Sequence, residues 1–80
     1  HYAPKTSIRI NAISLEEGEV GLNFGDSKLN AKGSLNLSPS GDLAIAAANL
    51  FDYLHRLDDY ARANFLQRIA IAPIPNESIG

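Results

Sequence analysis

Hydrophobic and polar positions alternate in short runs through the first half of the chain. They then recur at helical spacing and finally gather into one compact apolar run. In the stretch SIRINAI, Ile8 and Ile10 alternate with Ser7 and Arg9, the period of a half-buried strand over about residues 7–12. LEEGE is a polar turn. VGLNF sets Val20, Leu22 and Phe24 on one face and predicts a second strand over about residues 19–24. GDSKLNAKG reads as a polar loop between Gly25 and Gly33, and SLNLS as a short third strand with Leu35 and Leu37 on one side. Beyond it, Leu43, Ala47, Leu50, Leu54 and Leu57 recur at steps of four and three, which predicts a helix with one buried stripe. Ser38 is the expected cap and Pro39 the expected first helical residue, with Asp42 near the positive helix start. Asp52 and Arg56 form an i,i+4 pair on the wet side. DDYARANFL either continues that helix or forms a short second one. RIAIAPI is β-branched and continuous, the pattern of a central strand over about residues 68–72, and Pro73 and Pro75 end it.

Strand, helix and strand in succession imply a right-handed crossover joining residues 34–37 to residues 68–72 in parallel. The expected fold class is therefore α/β: a small sheet of about four strands, mostly parallel, with one long helix and one short helix. A buried central strand needs cover on both faces. The sequence offers little helix to supply it, so the domain is expected to be incomplete, with a further helix following Gly80. Residues 1–6 show no periodicity and read as the end of an extended linker, Ala3 being pushed toward extended geometry by Pro4. The domain proper then occupies residues 7–80.

Composition narrows the functional classes. The seven basic residues are scattered singly against nine acidic ones, for a net charge of −2, so no face concentrates positive charge as nucleic-acid binding requires. The absence of cysteine removes disulfides and thiolate metal sites and favours the cytoplasm. No apolar run reaches membrane-spanning length.

The chemistry on offer is sparse. Ligands of open α/β sheets sit beyond the carboxyl ends of the strands. The turn Ser38, Ser40 and Gly41 presents amides at a helix start that could hold an anion or nucleotide. A tight, well-capped turn accounts for the same residues, and Asp42 would repel a phosphate. Gly18, Gly21 and Gly25 do not spell a dinucleotide fingerprint, and no phosphate loop is present. Ser40, His55 and Asp52 lack the elbow that a nucleophile triad needs. Asp58 and Asp59 read as a solvated helix end, His55 as a partly exposed helix residue, and Phe51, Tyr53, Tyr60 and Phe65 as packing residues. No catalytic residue and no metal site is assigned.

HYAPK, residues His1–Lys5, resembles the end of the interdomain linker of two-domain threonylcarbamoyl-AMP synthases. NLSPSGDL (Asn36–Leu43), AAANLFDYLHRLD (Ala46–Asp58), IAIAPIP (Ile69–Pro75) and ESIG (Glu77–Gly80) resemble, in order, landmarks of that family's small carboxy-terminal domain. The likeness covers nearly the whole chain. Three departures stand out: the linker's preceding Lys-Tyr-Arg is absent, the family's further helix after the last glycine is absent, and Asp59–Leu66 is longer than usual. The resemblance implies a Rossmann-like accessory domain, noncatalytic itself, whose partner is a YrdC-like catalytic domain of the same protein. It implies that the intact protein uses ATP and magnesium to make threonylcarbamoyl-AMP from L-threonine and bicarbonate for tRNA modification; such proteins have been described as translation factors. It further implies that the linker closes over the catalytic domain, with His1, Tyr2, Pro4 and Lys5 as the contacts. No direct nucleic-acid contact and no membrane contact is expected. Beside this reading stand an independent small-nucleotide-binding module and a purely structural interaction domain.

Overall fold

The computed structural model describes residues 5–75. Four strands, β1 (Ser7–Arg9), β2 (Glu19–Asn23), β3 (Leu35–Asn36) and β4 (Arg68–Ile71), form one sheet in the spatial order β1-β4-β2-β3. Every pairing is parallel: Ser7 faces Arg68, Val20 faces Ile69, and Leu22 faces Leu35. One helix, α1 (Leu43–Ala63), joins β3 to β4. The α/β class and the parallel crossover thus stand as the patterning implies. The strands are shorter than the apolar periodicity, because Ile10 and Ile13 leave the ladder exposed and Leu37 passes into the following turn.

The connections β1–β2 and β2–β3 lie over one face of the sheet. The connection β3–β4, which runs back in the opposite direction, lies over the other. A uniform crossover hand requires this alternation. On the α1 face, Val20, Leu22 and Ile69 pack against Ala46, Leu54, Leu57 and Ala61. The opposite face carries Gly21, Ala70 and Ala72, and it is covered by the chain's own coil segments through Ala12, Leu15 and Leu29. This face is covered from within the described chain. The cover fits because the sheet residues there are small. A Cβ built on Gly21 would lie 2.1 Å from the Leu29 carbonyl oxygen and 2.6 Å from the Leu29 Cβ. Buried Asn23 fixes the covering loop. Its side-chain amide accepts from the Leu29 amide at 2.7 Å and donates to the Leu29 carbonyl at 3.0 Å, replacing a strand partner.

The helix differs from its sequence pattern in three ways. It begins at Leu43, not at Pro39, and Asp42 is the cap: its carboxylate accepts from the amides of Ala44 and Ile45 at 2.8 and 3.1 Å. DDYARANFL does not form a second helix, since its first six residues extend α1 to Ala63. The helix closes with the Leu66 amide donating to Ala61 and Phe65 in the left-handed region at φ 58°, a Schellman-type end in which phenylalanine stands where glycine is usual. Finally, the stripe is buried only at its carboxyl half. Leu54 and Leu57 are in the core, Leu43 and Leu50 are half-buried, and Ala47 is exposed. Phe51 and Phe65, expected to pack, stand exposed, whereas Tyr53 and Tyr60 do lie against the core.

Two substitutions check this account by denaturant unfolding. Gly21→Ala should lower stability by about 3 kcal/mol or more, because the Leu29 backbone must move. Phe65→Gly should raise it by about 1 kcal/mol, because glycine carries no penalty at positive φ.

Candidate functional site

Of the four linker positions singled out above, His1, Tyr2 and Pro4 lie outside the described residues, and Lys5 lies within them. Lys5 is the first of the described residues, and it is tied to α1. Its backbone amide donates to Asp58 Oδ2 at 3.1 Å, and the Thr6 amide donates to Asp58 Oδ1 at 2.9 Å. The Thr6 hydroxyl also donates to Asp58 Oδ1. Thr6 and Asp58 are both buried, Asp58 to 3% exposure. Asp58 is therefore not part of a solvated helix end. It lies in the same helical row as Leu54 and Ala61, on the face turned to the sheet, and it holds the segment that leads into β1. Asp59 alone is solvated, pairing with His55 and Arg62. A signal for Asp58 existed in the sequence: a carboxylate four residues after one core leucine and three before a core alanine sits on the apolar face and must find donors there.

The second candidate site, Ser38, Ser40 and Gly41, lies where the carboxyl ends of β2 and β3 meet. Connections leave these neighbouring strands toward opposite faces, so this is the switch point at which a doubly wound sheet opens a crevice. Here the crevice is stitched shut by its own walls. The Gly25 amide donates to Ser38 O at 2.8 Å, the Asn36 side chain donates to Gly25 O at 3.0 Å, and the Leu37 amide donates to Asn23 O at 2.8 Å. The amides of Ser38, Gly41 and Asp42 are engaged by Asn36 Oδ1, Ser38 O and Ser38 Oγ respectively. Ser38 Oγ also lies 3.2 Å from Ser40 Oγ, and Ser38 is buried. At the helix start itself the Asp42 carboxylate stands where an anion would bind. The three residues are brought together as a turn, with the amides of Ser38 and Gly41 bonded within it.

Beside this turn, Leu37, Leu43, Ala46, Ala47, Leu50, Phe51 and Ile74 line an open apolar groove of about 230 Å³. On the wet face of α1, Arg56 pairs with Asp52 at 3.0 Å and lies over the Tyr53 ring at 5.7 Å. Ser40, His55 and Asp52 form no triad, because His55 turns to Asp59 at 3.5 Å.

At the opposite, amino-terminal edge of the sheet lies the cluster that the sequence pattern missed. Glu19 is buried, with its carboxylate between Arg9 at 2.8 Å and Arg68 at 2.8 Å. It also accepts from the Glu16 amide at 2.8 Å. The hydrogen bond from Arg9 is the main reason that the Glu19 carboxyl titrates near about 2, well below the usual 4.5; the Glu16 amide and Arg68 add to it against the cost of burial. The same bond raises the Arg9 guanidinium. Glu19 closes the LEEGE run and opens β2, and the arginines are ten and 49 residues away, so only strand register reveals the cluster. Among the described residues no group of histidines, cysteines and carboxylates is arranged to hold a metal ion. Among them, too, no helix is long and apolar enough to cross a membrane.

Against known proteins, the family described as threonylcarbamoyl-AMP synthase, C-terminal domain, matches residues 1–80. No curated protein and no solved structure matches the chain.

The Glu19 cluster carries its own test. Glu19→Gln should cost about 2 kcal/mol at neutral pH, since it leaves two arginines facing a neutral amide. The folded-state value lies below that of an unfolded glutamate, so the stabilisation is complete above pH 4.5 and is lost as the pH falls toward 2. Urea unfolding of wild type and variant across that window should show the two stabilities converging.

Proposed function

The chain belongs to the C-terminal domain family of threonylcarbamoyl-AMP synthases, and from that membership we propose that it is the noncatalytic, regulatory domain paired with a YrdC-like catalytic domain in one cytoplasmic protein. In this reading the intact protein condenses L-threonine, bicarbonate and ATP, with magnesium, into threonylcarbamoyl-AMP, and pyrophosphate leaves. The product then supplies the modification of an adenosine in tRNA. The segment His1–Thr6 is the end of the linker that closes over the catalytic domain.

The observation that supports this role is the pinning of Lys5 and Thr6 to the helix through Asp58. A linker that is to cover a distant site benefits from a rigid foot, because ordering its base in advance leaves less entropy to lose on closure. Closure would exclude water from a labile carbamate and a mixed anhydride. In such a lid Tyr2 offers a ring and a hydroxyl, His1 and Lys5 offer hydrogen bonds or charge beside phosphates, and Pro4 restricts the open chain. The engaged donors of the Ser38–Gly41 turn give the alternative, an independent nucleotide-binding module, no comparable support.

The test is threonine- and bicarbonate-dependent pyrophosphate release by the full two-domain protein, with product-free ATP hydrolysis recorded beside it. Tyr2→Ala should lower synthesis by about tenfold and raise the hydrolysed fraction. Wild-type values for both would sink the lid. The catalytic domain made without this chain should show the same leak.

A further inference from the structure

We draw no further inference here: the strongest candidate, the open apolar groove that Leu37, Leu43, Ala47, Leu50, Phe51 and Ile74 line beside the first turns of α1, carries nothing because nothing in the structure shows what covers it.

Discussion

A parallel sheet must be dry on both faces, and the described residues supply one helix with which to dry them. Everything else in the architecture follows from how the second face is closed. The solution is subtraction. Gly21, Ala70 and Ala72 remove bulk from the sheet, so that a coil can lie directly on it, contributing Ala12, Leu15 and Leu29. Coil brings unpaired backbone groups into a buried place. Asn23 meets that demand by bonding both the amide and the carbonyl of Leu29. The thin layer is stable because small sheet residues and one buried amide act together, and neither would suffice without the other.

The edge strand β1 shows a related economy. It has three residues, none of them fully buried, and Ile8 is 38% exposed. Apolar burial can do little to hold such a strand. Polar contacts hold it instead, one at each end: Asp58 receives the chain just before the strand, and Arg9 at its last position reaches Glu19. Both contacts use buried carboxylates, whose value depends on every donor being in place. The amino-terminal end of the described chain is thus the part whose attachment is most directional.

At the other end of the sheet the same logic disfavours ligand capture. A switch point between β2 and β3 would ordinarily leave amides free for a phosphate. Here the amides of Ser38, Gly41 and Asp42 are bonded to nearby oxygens of Asn36 and Ser38, and Asp42 supplies the negative charge that the helix start attracts. The apolar surface left over is not in the crevice but beside it, where the first turns of α1 project past the sheet.

Periodicity by itself determined the four strands, the long helix and the parallel α/β class, because alternation and helical recurrence are local signals that survive without knowledge of neighbours. The order of residue landmarks determined the family. What only the tertiary structure decided was which polar residues are inside. Asp58 read as solvent-facing because it adjoins Asp59, yet adjacent helical positions point about 100° apart, and one of the two had to face the sheet. Glu19 read as the junction of a polar turn and a strand, with no partner in view, because its two arginines are remote in sequence and meet it only through strand register. The helix start moved from Pro39 to Leu43 because Ser38 closes the preceding turn and leaves capping to Asp42. In each case the deciding quantity is the same: a buried polar atom must find its partner in space, and a sequence lists partners only along the chain.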